Sequence, residues 1–134
     1  MFREVFELKT HERLEIIDIT HEVHLIVGKG GFNRGIVNVY SRHSTSGIVV
    51  NENEPGLLED FKGALESLVP SNGNYQHNRI DNNADSHIRS LFIGNSETIP
   101  SYSGKTDLGT WQSIFFVELD GPRTRRVTVT VIGE

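Results

Sequence analysis

The chain has 134 residues, with 18 acidic against 13 basic side chains, a net charge of -5 and no cysteine. That length supports a single domain over residues 1–134, because two would each be too small to bury a core without metals or disulfides. The acidic balance argues against nucleic acid as a partner, though a local basic patch can still bind a small anion. Without thiols, any metal must be held by imidazole, carboxylate, carbonyl or water.

The first residues, Phe2 to Leu8, alternate as a strand does, and Leu14 to Ile17 reads as a second short strand after the polar turn Lys9 to Arg13. From Ile19 the apolar positions Val23, Ile26 and Val27 recur at helical spacing, which predicts a helix ending at Gly28 with Asp18 or Thr20 as its cap. His21 and His24 lie on this helix and are expected to face solvent. Gly35 to Tyr40 and Ile48 to Val50 read as buried strands separated by Ser41 to Gly47. Pro55 to Val69 is the clearest helix: Leu58, Phe61, Leu65 and Leu68 form its apolar stripe, Pro55 suits the first turn and Pro70 ends it. Asn83 can cap a shorter helix that carries Ala84, Ile88 and Leu91. Strands are then expected over Glu97 to Ser101, Gln112 to Leu119 and Arg126 to Ile132, the last with Val127, Val129 and Val131 alternating against Thr128 and Thr130. Mixed strands with two or three interposed helices make an α+β fold, a compact mixed β-sheet domain. Helices do not follow every strand, and the glycines form neither a dinucleotide nor a P-loop phrase. No run approaches the roughly 20 apolar residues that span a bilayer, and the start lacks the apolar stretch of a secretory leader, so a cytoplasmic protein without membrane contact is expected.

Three phrases carry polar groups beyond what strands and turns need. In His43-Ser44-Thr45-Ser46, a short loop between two apolar strands holds an imidazole at a pocket edge, beside hydroxyls and backbone amides suited to an anion. Glu52 follows the second of those strands and is open to three roles: base, metal ligand or helix-terminus acid. His77 and His87 form a candidate metal pair, a loop residue and a helix residue that can converge on folding, with His43 as a third imidazole. The donor inventory does not separate zinc, manganese and magnesium. In Gly109-Thr110-Trp111-Gln112 the tryptophan offers an apolar wall and Gln112 an orienting amide for a planar heterocycle. Glu118 and Asp120 share a face if extended, as do Arg123 and Arg125 beyond Gly121-Pro122, and such guanidiniums suit phosphate or an acidic edge.

Taken in order, His43-Ser44-Thr45-Ser46 with Asn51-Glu52, Asn72-Gly73-Asn74-Tyr75-Gln76-His77, Asp85-Ser86-His87-Ile88, Gly109-Thr110-Trp111-Gln112 and Gly121-Pro122-Arg123-Thr124-Arg125 resemble the YjbQ-like family of secondary thiamine-phosphate synthases, over nearly the whole chain. The resemblance implies a compact α+β domain, a homotrimer, and a site including His43, His77 and His87 with a divalent metal or phosphate nearby. It also implies condensation of a hydroxymethylpyrimidine diphosphate with a thiazole phosphate, releasing diphosphate. In that site His43, Glu52, His77 and His87 are the candidate catalytic residues. Ser44, Thr45, Ser46, Trp111, Gln112, Arg123 and Arg125 are expected to bind the phosphorylated substrate. Two other functions fit the same inventory: a metal-assisted phosphate-ester or small-ester hydrolase, and a non-catalytic module that binds a phosphorylated metabolite. His11, His21 and His24 are not expected to join the site.

Overall fold

The computed structural model describes all residues, Met1–Glu134. Its elements in chain order are strands β1 (Phe2–Lys9) and β2 (Glu15–Asp18), helix α1 (Thr20–Gly30), strands β3 (Arg34–Ser41) and β4 (Ser46–Asn51), helix α2 (Pro55–Leu68), a 3-10 turn at Gln76–Arg79, helix α3 (Ala84–Ile93), and strands β5 (Ser96–Tyr102), β6 (Lys105–Thr106), β7 (Ser113–Glu118) and β8 (Thr124–Gly133). The α+β expectation holds, with three helices. Every ladder is antiparallel, and the strands form two sheets, one in the order β1-β8-β3-β5-β6 and one in the order β2-β7-β4.

The main core lies between the sheets. Ile19, Val23, Ile26 and Val27 of α1 and its entry turn meet Val37 and Val39 of β3, Ile114 and Phe116 of β7, and Val127, Val129 and Val131 of β8. The other face of the small sheet packs Val117 and Leu119 against Leu65, Phe61 and Ile93 of α2 and α3. The strand β7 is therefore covered on both sides, which is why Ile114 to Val117 reads as a continuous apolar run, whereas β8 is covered on one side and alternates.

Helix boundaries shift for identifiable reasons. The helix α1 runs to Gly30, two residues past the expected end, because Gly31 takes the left-handed conformation (φ 70°) that closes a helix. At its start the cap position falls to Ile19, which has no polar side chain to fill it, rather than to Asp18 or Thr20; Asp18, one residue earlier, still accepts hydrogen bonds from the Thr20 backbone N–H and hydroxyl. On α2 the stripe ends at Val69, which is 4% exposed, rather than at Leu68, which is 63% exposed, since the helix turns about 100° per residue and the i+4 position returns to the core.

One regularity positions the site. The inward rows of four strands end in polar residues at the same end of the sandwich: Ser41 after Val37 and Val39, Ser46 before Ile48, Glu118 after Ile114 and Phe116, and Arg125 before Val127 and Val129. All four are buried. There the core changes from hydrocarbon to an ion pair and hydroxyls, which must be mutually satisfied to be stable.

Candidate functional site

The floor of the site is that polar end of the core. Glu118 and Arg125 form a buried ion pair, with Arg125 Nε 2.8 Å from Glu118 Oε1 and Nη2 bonded to Oε2. Thr10 Oγ1 donates to the same carboxylate at 2.7 Å, and the Asp120 backbone N–H donates at 3.1 Å. Arg125 Nη2 also donates to Thr45 Oγ1 at 2.9 Å and to Thr45 O. Burial pushes the Glu118 carboxyl upward, but the bonds from Arg125, Thr10 and Asp120 outweigh it and hold it below the usual carboxylate range. Gly121 sits hard against this network: a Cβ there would lie 2.3 Å from Glu12 O and 2.8 Å from Thr10 Oγ1, so only glycine fits.

Above the floor is a cleft of about 390 Å³ lined only by polar residues: Arg42, His43, Ser44 and Thr45 from the β3–β4 loop, Asn83 and His87 from the start of α3, and Asp120, Arg123 and Arg125 from the β7–β8 loop and strand. A second recess of about 380 Å³ adjoins it, sharing His43, Ser44 and His87 and adding Ser90, Leu91, Gly94 and Asn95. The loop is rigidly held. Ser46 Oγ donates to His43 O, Ser41 and Ser46 hydroxyls lie 2.6 Å apart, and Ser90 Oγ donates to Ser46 O. Of the three consecutive hydroxyls, Thr45 and Ser46 are thus spent on the scaffold, and Ser44 is the exposed one.

The start of α3 is anchored as firmly. Arg13 grips Asp85 with two bonds of 3.0 Å, Arg89 Nε and Nη2 both donate to Val69 O, and Ser86 Oγ donates to Leu119 O. Asn83 stands at the cap position, yet its side chain makes no capping bond. Asn78 Oδ1 accepts from the Ala84 N–H at 3.1 Å instead. The Asn83 amide is thereby free to reach Asp120 Oδ2 at 2.9 Å and His77 Nε2 at 3.1 Å. His77 stands edge-on to His87, ring centroids 4.9 Å apart.

The structure therefore brings His43, His77 and His87 to one region, His43 and His87 in the cleft wall and His77 against His87. His11, His21 and His24 are exposed and belong to other elements. Arg123 lines the cleft, with Nη2 3.0 Å from Asp120 Oδ2 and Nε bonded to Asp120 O. Arg125 does not share its role: its strand parity is that of Val127 and Val129, so it points inward. Three expected residues lie elsewhere. Glu52 lines a separate apolar cavity of about 350 Å³ with Leu57, Leu58, Phe61 and Phe115. Trp111 is 73% exposed, and Gln112 Oε1 accepts from the Gly109 N–H within its own turn. Sequence reasoning missed Arg42, the adjoining basic residue of the loop, and the sites of Asn83 and Asp120, which it took for a helix cap and an acid sharing a strand face with Glu118.

His43 Nε2 accepts a hydrogen bond from the Arg126 backbone N–H at 3.0 Å. Burial holds this imidazole below its ordinary pKa, and the charges of Arg125, Arg42 and Arg123 add to that effect against the opposing pull of Glu118. A divalent ion on all three imidazoles would require Arg126 to release His43 Nε2. As the rings stand, the three imidazoles do not form a group that could hold a metal ion, His43 Nε2 being taken by the Arg126 N–H and His77 Nε2 by Asn83 Oδ1.

A cleft lined by basic, hydroxyl, amide and carboxylate groups at the end of two antiparallel sheets defines a small α+β protein with one polar candidate site. The family model described as UPF0047 protein YjbQ-like matches residues 4–134, and the chain belongs to that family. It is 53% identical to a UPF0047 protein of Methanothermobacter thermautotrophicus, over 100% of this chain and 96% of that one. It is 34% identical to YugU of Bacillus subtilis, over 95% and 96%. A crystal structure from Sulfolobus solfataricus, of a protein of unknown function, superimposes with a TM-score of 0.97 at 40% identity, covering 99% of this chain and 97% of that one. A YjbQ/UPF0047 protein of Clostridium acetobutylicum gives 0.92 at 38%, covering 96% and 99%. No helix is long and apolar enough to cross a membrane.

Proposed function

We propose that the cleft binds phosphorylated substrates and catalyses thiamine-phosphate formation from a hydroxymethylpyrimidine diphosphate and a thiazole phosphate. The observation that carries this reading is the all-polar cleft in which Arg42 and Arg123 face Ser44, His43 and His87. The bond that forms joins the pyrimidine methylene carbon to the thiazole nitrogen, the bond that breaks joins that carbon to the diphosphate oxygen, and diphosphate leaves with the bonding electrons. The chain's task is to bind the leaving group and stabilise its charge. Arg42 has no carboxylate partner, so its charge is available to phosphate oxygens, while Asp120 holds Arg123 in a fixed direction. Ser44 adds a short hydroxyl donor. A divalent ion would neutralise diphosphate charge.

The expected homotrimer belongs to the same reading. The outward face of the five-stranded sheet leaves Val5, Ile36, Tyr40, Tyr102 and Ile132 exposed, and Trp111 and Leu91 are exposed as well. The Gly109–Gln112 turn, with Trp111 exposed, is open to a neighbouring copy in such an assembly.

The test is purified protein with both substrates across a metal series, with products resolved by mass. Thiamine phosphate above a protein-free control is the expected result, and its absence with folded protein and every metal would defeat the proposal. Turnover of one phosphorylated substrate without the thiazole acceptor would favour the hydrolase, and saturable binding without chemical change would favour the binding module.

A further inference from the structure

Two hydrogen bonds on different histidines of the site have opposite consequences. A backbone N–H can only donate, so the Arg126 N–H at 3.0 Å from His43 Nε2 meets a lone pair there, and the single proton of the neutral ring sits on Nδ1. On the other side of the cleft the chain of partners begins at a carboxylate. Ionised Asp120 can only accept, and it takes a bond from Arg123 Nη2 as well as one from Asn83. That fixes the Asn83 amide with Nδ2 toward Asp120 and Oδ1 toward His77, so His77 Nε2 carries a proton and donates. The neutral His77 ring then has its lone pair on Nδ1.

We propose that the two histidines are held in opposite tautomers, His43 as an Nδ1–H donor and His77 as an Nδ1 acceptor, and that Asn83 is the positioning residue through which Asp120 sets His77. The assignment separates roles that the residue inventory leaves interchangeable. His43 in this state offers a ligand a proton-bearing nitrogen and no lone pair, which suits a phosphate oxygen. His77 offers a lone pair, which suits a cation, and the Asn83 amide, itself held by Asp120, fixes the orientation of the ring. Asn83 is free for this because Asn78 caps α3 in its place. The edge-on contact with His87 restrains the His77 ring from the remaining side. The chemical roles rest on the proposed reaction; the tautomers do not.

The experiment is two-bond proton–nitrogen correlation of the ¹⁵N-histidine-labelled full chain, free of substrate, at a pH where the rings are neutral, with His43→Gln and His77→Gln assigning the signals. The expected pattern is a protonated Nδ1 on His43 and a protonated Nε2 on His77. Asp120→Ala should move the His77 nitrogens toward averaged shifts, because the amide of Asn83 is no longer oriented, and should leave His43 unchanged. Asp120→Asn keeps an acceptor oxygen and should restore the wild-type pattern. A protonated Nδ1 on His77, a protonated Nε2 on His43, or a His77 signal indifferent to Asp120→Ala would each overturn the proposal. Should Asp120→Ala fail to fold, the wild-type pattern still decides the tautomers and Asn83→Ala takes its place. Expected tautomers in a protein that makes no thiamine phosphate would fault the reaction and leave this inference standing.

Discussion

Glu118 shows how a buried charge ties the stability of this fold to pH. Its carboxyl is fully buried, and its oxygens take bonds from Arg125, Thr10 and the Asp120 N–H, so the folded state prefers the ionised form more than the unfolded chain does. Asp85, bonded by Arg13 and near Arg89, is shifted the same way: burial raises it, and the guanidiniums more than reverse that. A carboxyl lowered in the folded state contributes stability that is complete above its unfolded pKa and lost as pH falls through the folded value. Acid should therefore unfold the protein below the ordinary carboxylate range. Glu118→Gln turns an acceptor oxygen into an N–H donor facing other donors and leaves Arg125 buried without a counter-charge. The expected loss is about 3–5 kcal/mol at neutral pH, with a shallower acid limb, measured by urea denaturation across pH. Unchanged neutral stability would show that the pair is not closed in solution.

At the scale of elements, the cap of α3 links helix stability to the site. The Asn78 side chain satisfies the Ala84 N–H, a duty that Asn83 would otherwise perform from the cap position. Asn78→Ala should cost about 1 kcal/mol by urea midpoint. It should also draw Asn83 into the vacant cap, so that His77 loses its orienting partner and its ¹⁵N pattern averages although the substituted residue lies outside the cleft. A stability loss with an unchanged His77 pattern would separate cap from site. The sequence made α2 and the last strand legible because their signals are local: Pro55 at the first turn of α2, the Leu58, Phe61 and Leu65 spacing, and the Val127, Val129 and Val131 alternation of β8. It also grouped the three site histidines, through the family resemblance. It could not show that Asn83 is relieved of capping, since that depends on a loop residue five positions earlier. Arg125 was legible in principle, because it continues the inward row of β8, but its partner Thr45 lies 80 positions away and Thr10 reaches Glu118 across 108. Glu52, Trp111 and Gln112 carried the right chemistry on elements that the fold sends elsewhere.

For the molecule as a whole, the open question of physics is the uncovered face of the large sheet. Its outward row includes Val5 on β1, Ile36 and Tyr40 on β3, Tyr102 on β5 and Ile132 on β8, with no helix over them because α1 packs on the inner side. A chain of this size buries a limited share of its surface alone, and closed association is an economical way to cover such exposed apolar side chains and protect sheet edges. Three copies of 15.1 kDa should scatter light as about 45 kDa at micromolar concentration. Ile36→Asp places a charge amid Ile132 and Pro100, its register partners, without entering the core, so it should release folded subunits of 15.1 kDa. Arg42 follows this same strand directly into the cleft, and it lines both the cleft and a recess on the open face with Tyr40 and Thr128. Dissociation should therefore lower substrate affinity as well as mass. A 15.1 kDa wild-type protein, or an Ile36→Asp monomer that binds and turns over substrate as the wild type does, would show that each subunit's cleft is complete by itself.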